Sequence, residues 1–141
     1  RVLLCGYGSQ GQLGRGINTD NSPVFMLEHA SRVKKVMCGY FHTCIVNEDG
    51  DCYVTGNNNF YQLGLGHNNF CGVFTRLQFD DIEPIILGGL HSVFRVGPCV
   101  MGCGRNEQYE LGLKAPETLK QLTELTASSL LIPSRAKSAR K

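Results

Sequence analysis

The sequence predicts an all-β protein made of propeller-type blades of short antiparallel strands, and three observations carry that prediction. Residues 5–14, 55–64 and 103–112 align without gaps, so that Gly6, Gly56 and Gly104 recur at intervals of 50 (6 to 56) and 48 (56 to 104) residues. The segment Gly39-Tyr40-Phe41-His42-Thr43 returns as Gly88-Gly89-Leu90-His91-Ser92, 49 residues on (42 to 91). Between these markers lie short apolar runs bounded by Gly, Asn, Asp and Pro, the composition of strands and turns. A period near ~50 belongs to propeller-type repeat units.

Taken in order, Val2-Leu3-Leu4-Cys5 is an apolar run ending at a glycine and reads as a buried strand. Leu13 packs inward, and 14–23, rich in Gly, Asn, Asp, Ser and Pro, forms a surface loop. Strands follow at 24–27 and 33–38, separated by the polar residues 28–32. The β-branched segment 42–47 meets Asn47-Glu48-Asp49-Gly50, a hairpin in which the glycine takes a positive φ, and 51–55 returns antiparallel to it. These are two strands of one blade.

The next unit repeats the plan, with a loop at 64–72, apolar positions in 73–79, and a strand near 84–87. Residues 92–96 pair with 99–103 across Val96-Gly97-Pro98, a connection one residue shorter than its counterpart. A third unit opens at Gly104 and keeps register, since Leu125 follows Gly112 by 13 residues as Leu27 follows Gly14. It stops before a histidine segment. In 116–122, Pro116 and Glu117 suit the first turn of a short helix, while the repeat asks for an irregular strand; both readings stand. Repeats therefore cover 1–113, a partial repeat or short helix 114–133, and a basic flexible tail 134–141.

With 42% hydrophobic and 18% charged residues, the chain is globular rather than disordered. A net charge of +2 is too small to imply nucleic acid or an anionic membrane, leaving only the basic tail for phosphate contact or nuclear import. No stretch approaches the ~18 apolar residues of a membrane span, and no charged leader precedes an apolar core. The expectation is a soluble protein of the cytoplasm or nucleus. Seven cysteines form an odd set, mostly in apolar runs where a free thiol behaves as a small hydrophobe, which predicts a reducing compartment.

Cys38-Gly39-Tyr40-Phe41-His42-Thr43, Glu48-Asp49-Gly50 and Gly11-Gln12-Leu13-Gly14 together resemble the regulator of chromosome condensation repeat family. The likeness covers roughly residues 2–113. Where the family carries a Trp before the anchor glycine this chain has Cys5, Thr55 and Cys103, and Tyr61 and Tyr109 replace the first glycine of Gly-Gln-Leu-Gly. The repeats are divergent. The resemblance implies a seven-bladed propeller, of which this chain would supply about two and a half repeats and would meet the remainder of a propeller or self-associate.

Several chemistries are weighed against packing. Gly6-Tyr7-Gly8-Ser9-Gln10-Gly11 matches the dinucleotide-binding Gly-x-Gly-x-x-Gly, but that motif needs a helix after it, and Gly14, Gly16 and Pro23 forbid one. His42 and His91 occupy one repeat position, which favours a repeated structural bond to a neighbouring unit over catalysis. His42-Thr43-Cys44 invites cysteine or zinc chemistry, yet no Cys-x-x-Cys pair is present, and Cys99 with Cys103 is too few ligands. Gln12 and Gln62 are candidates to tie loops to the adjacent unit. Asp80, Asp81 and Glu83 form an acidic cluster, read as a solvated loop before a cation or basic-partner site. No catalytic, cofactor-binding or metal residue is assigned. The resemblance implies a protein-interaction module; its alternatives are guanine nucleotide exchange on a Ran-like small GTPase with chromatin association and, further back, a dinucleotide-binding enzyme.

Overall fold

The computed structural model describes residues 2–16, 22–27 and 32–126, and every regular element among them is a strand. In chain order these are β1 (Val2–Gly6), β2 (Ser22–Leu27), β3 (Val33–Cys38), β4 (His42–Asn47), β5 (Cys52–Gly56), β6 (Cys71–Arg76), β7 (Ile82–Leu87), β8 (His91–Val96), β9 (Cys99–Arg105) and β10 (Thr118–Glu124). They form three antiparallel sheets: the pair β1-β2, and two four-stranded blades in the orders β3-β4-β5-β6 and β7-β8-β9-β10. Propeller-type blades are thus observed. Among the described residues no helix is long and apolar enough to cross a membrane.

The strand sequences explain their places. In β3, Val33, Lys35 and Met37 are half-buried while Lys34, Val36 and Cys38 face solvent, the period-two alternation of an edge strand with one covered face. His42 to Val46 in β4 are all buried, because an interior strand is covered on both faces. The turn between β4 and β5 is set by its side chains. Asn47 Oδ1 accepts from the Asp51 amide at 2.8 Å, and Gly50 takes φ +88°. Arg76 clamps the same turn from β6, its Nη2 2.6 Å from Asp51 Oδ1, and this bond holds the Asp51 carboxyl below the usual carboxylate range.

The main core lies between the two blades and includes Cys44, Val54, Leu63, Leu77, Ile82, Phe94, Cys103 and Leu122. Leu111, Leu113 and Leu119, with Val93 and Leu125, form a smaller cluster on the other face of the β7–β10 blade. Phe94 and Val93, neighbours in β8, project to opposite faces and so belong to the two different clusters.

Two expectations change and one open alternative is decided. β2 already includes Ser22 and Pro23, because Ser22 pairs with Gly6 across an irregularity in the register. β6 starts at Cys71, inside the stretch expected as a loop to 72, since Gly56 pairs with Cys71, and it ends before Leu77, whose amide donates to Cys52 O at 2.8 Å. Residues 118–124 are a strand and not a helix. The open edge of β9 accepts Thr118 opposite Arg105 and buries Leu119 and Leu122, which outweighs the local helix-start signal of Pro116 and Glu117. Residues 28–31, 127–133 and the basic tail lie outside the described residues.

Candidate functional site

The turns that follow β1, β3, β5, β7 and β9 gather at one end of the blades, and the repeated histidines enter there. Gly39 is where it is because the His42 ring lies on it: a Cβ at Gly39 would stand 2.6 Å from His42 Nδ1 and 2.7 Å from Gly88 O. The His91 ring covers Gly88 in the same way, with Nδ1 2.8 Å from a Cβ built there. The Gly-x-x-His spacing is therefore a packing rule.

His42 Nε2 lies 2.8 Å from Ser92 Oγ, and Ser92 Oγ donates to Gln62 O at 2.6 Å. Because the serine proton is committed to the carbonyl, Nε2–H donates to the serine, and Nδ1 is left unprotonated, buried and without a partner. Burial, with a smaller contribution from the His91 charge, lowers the His42 pKa from 6.5 to about 4. The ring is neutral and closed to solvent. It links two blades through a side-chain hydroxyl, a structural bond to the neighbouring unit. His91 is only half-buried, its ring makes no hydrogen bond among the described residues, and burial lowers its pKa as well.

The two glutamines join the units through main-chain atoms. Their side chains stay in their own turns, Gln12 Oε1 accepting from Gln10 N and Gln62 Oε1 from Phe60 N. Their main-chain carbonyls make the ties between units: Thr43 Oγ1 donates to Gln12 O at 2.8 Å, as Ser92 does to Gln62 O. Thr55 Oγ1 adds a shared bond, 2.8 Å from both Gly11 O and Cys71 O.

The glycine-rich start has a structural reason too. Residues 9–14 form turns, and a Cβ on Gly11 would lie 2.9 Å from Gly72 Cα. Gly11 has φ +80°, and Tyr61 and Tyr109 hold φ +63° and +61° at the same repeat position. The backbone demand persists where the glycine does not. The acidic cluster is largely neutralised by its own blade and the neighbouring one: Arg95 bonds Asp81 at 3.0 Å and Glu83 at 3.4 Å, and Lys35 of β3 bonds Glu83 at 3.2 Å. These bonds hold both carboxyls below their ordinary values, chiefly through Arg95 at Asp81 and Lys35 at Glu83. Among the described residues no three His, Cys, Asp or Glu side chains converge on a metal position.

Sequence reasoning passed over two sets of residues. Asn58 stands at the repeat position that Gly8 occupies in the first unit. It is fully buried, its Nδ2 donating to His67 O and Asn69 O and its Oδ1 accepting from Leu63 N, and Asn106 repeats this with Leu113 O, Pro116 O and Leu111 N. Asn58→Ala strands those loop groups and is expected to cost about 2 kcal/mol in urea denaturation, with Asn59→Ala, on an exposed side chain, near zero. The recurrence of Asn at 48 residues (58 to 106) was the available signal.

The second set is aromatic. Tyr40, Tyr7 and Tyr109 are 75%, 51% and 59% exposed. Phe41 joins two of them, its ring centroid 4.8 Å from Tyr40 edge-on and 6.4 Å from Tyr7. Beside this row a cavity of about 320 Å³ is lined by Tyr40, Phe41, Leu90, His91, Arg105 and Glu110. Arg105 bonds Glu110 at 2.8 Å and stands 6.0 Å over the Phe60 ring. The arrangement offers aromatic area with a charged rim and no nucleophile and base aligned for reaction.

An all-β repeat protein with blades tied through Thr/Ser hydroxyls and Gln carbonyls is the class these features define. Residues 1–46 and 33–62 match two family models, each of the regulator of chromosome condensation (RCC1) repeat, and the chain carries repeats of that family. Among curated relatives, the human probable E3 ubiquitin-protein ligase HERC6 is 32% identical over 123 residues, covering 80% of this chain and 12% of its own length. The human X-linked retinitis pigmentosa GTPase regulator is 33% identical over 81 residues, 56% of this chain and 8% of that protein. Human WBSCR16 superposes with a TM-score of 0.70 at 25% identity, over 88% of this chain and 34% of that one. Prp20p from Saccharomyces cerevisiae gives a TM-score of 0.70 at 24% identity, over 89% and 34%. The chain spans about a tenth of those relatives and a third of those structures.

Proposed function

We propose that this chain is a protein-interaction module whose contact surface is the blade end carrying Tyr7, Tyr40 and Phe41. The observation that carries the proposal is the row of exposed Tyr7 and Tyr40 around half-buried Phe41 beside the 320 Å³ cavity, because aromatic side chains with an Arg at the rim are the residues that dominate protein interfaces. The matched relatives bear names of different activities, which favours contact over one shared chemistry as the job of the repeat. The module works in the cytoplasm or nucleus and takes no cofactor. Its β7–β10 blade offers His91 and the Glu110 carbonyl at the positions where His42 and Gln62 receive Ser92, so a further blade, from the rest of a propeller or from a second copy, would dock there.

The test is site-specific photocrosslinking in cell extract, with the reactive residue at position 40 or, at the opposite end of the same blade, at the exposed position 49. Discrete adducts at 40, lost when Tyr7 and Phe41 are both changed to Ser, are expected. Adducts at 49 alone would overturn the proposal. A second reading is exchange on a Ran-like small GTPase with chromatin association. It is favoured by the likeness to Prp20p, whose crystal structure is described with its binding to Gsp1p and histones. Release of a fluorescent guanine nucleotide from such a GTPase, accelerated by this chain, would establish it.

A further inference from the structure

The thiols of Cys44 in β4 and Cys52 in β5 lie 3.1 Å apart, Sγ to Sγ, and both side chains are fully buried. Cys44 stands opposite Val54 and Cys52 opposite Val46, so the two cysteines sit diagonally on one face of the antiparallel pair. A disulfide needs its sulfurs at about 2.05 Å, a closure of roughly one ångström from here. The positions do not need sulfur to fold: the same two places in the following blade, 49 (44 to 93) and 48 (52 to 100) residues on, hold Val93 and Val100. A pair of thiols in contact, where the neighbouring repeat uses two valines, is a chemical difference between otherwise matched blades.

We propose that Cys44 and Cys52 are a redox modification site, closing reversibly to an intramolecular disulfide when the chain meets a peroxide. One sulfur attacks a peroxide oxygen as its thiolate and becomes a sulfenic acid, releasing hydroxide; the second sulfur displaces the sulfenic hydroxyl. Two thiols lose two protons and two electrons, and hydrogen peroxide becomes two waters. A dithiol reductant reverses the exchange. The bond to Cys52, together with burial, raises the Cys44 pKa, so attack waits for the β4–β5 hairpin to open, and the reaction is slower than that of the exposed Cys5 and Cys38. Once formed, the bond joins the two interior strands of the blade within the core shared with Phe94 and Cys103.

The experiment uses the full chain with its exposed thiols first blocked by iodoacetamide under native conditions. Hydrogen peroxide is then added with and without subdenaturing urea, and digests are mapped by mass spectrometry without reduction. A Cys44–Cys52 link with loss of about two mass units is expected, faster in urea and reversed by dithiothreitol. Cys44→Val and Cys52→Val, carrying the residues of the next blade, should keep the fold and lose the link. Recovery of both residues as thiols after prolonged treatment, as sulfinic acids, or joined to Cys71, Cys99 or Cys103 would overturn the proposal.

Discussion

Gly56→Ala is expected to remove about 4 kcal/mol of stability, against about 2 kcal/mol for Gly6→Ala at the same repeat position. Both glycines hold a left-handed backbone, φ +116° and +106°, which an alanine adopts only with strain. Gly56 carries a second cost. Its Cβ would press against Phe41 O and stand 2.7 Å from His42 Cα, main-chain atoms of the neighbouring strand, which cannot rotate away. A Cβ on Gly6 meets no described atom within 4 Å. Gly104, at φ +102° with His91 Cα 2.6 Å from its built Cβ, should behave as Gly56 does. Urea denaturation of the three variants measures this. Equal losses for Gly6→Ala and Gly56→Ala would show that backbone angle alone sets the effect and that the close strand approach contributes nothing.

The repeated glycines were legible from spacing alone, and so were the blades, because each marks a place where the backbone permits no substitute. β3 and β4 stood at their observed bounds in the sequence, since a β-branched run with a turn motif at its end leaves little choice. What the sequence hid is tertiary. The repeat left 116–122 open between strand and helix, and what decides for the strand is the edge of β9, a fact no local signal carries. The aromatic row was invisible for a related reason: Tyr40 and Phe41 occupy the variable places between Gly39 and His42, and only the fold brings Tyr7 beside them. Gln12 and Gln62 do tie their turns to the adjacent unit, but the tie runs through the carbonyl, which every residue has. Side-chain identity could not announce it.

Acid should weaken the fold through His42, by about 3 kcal/mol as pH falls from 6.5 to 4. The ring is held neutral in the folded chain, with its pKa lowered to about 4 by burial and by the His91 charge, while the unfolded chain binds its proton near 6.5. Between those values the unfolded state carries the extra proton, so stability is complete above pH 6.5, drains as pH falls, and levels off below 4. His91 shifts in the same direction and adds to the slope. The bonded carboxyls Asp51, Asp81 and Glu83 also favour the folded state less as they protonate, but their window begins near and below pH 4, under that of His42. His42→Gln separates the contributions, because its amide N–H can still donate to Ser92 Oγ while it cannot take up a proton. Thermal melts at pH 7, 5.5 and 4 should show the wild-type chain losing markedly more stability than this variant. Parallel losses in the two proteins would mean that His42 titrates normally and that solvent reaches the unpartnered Nδ1.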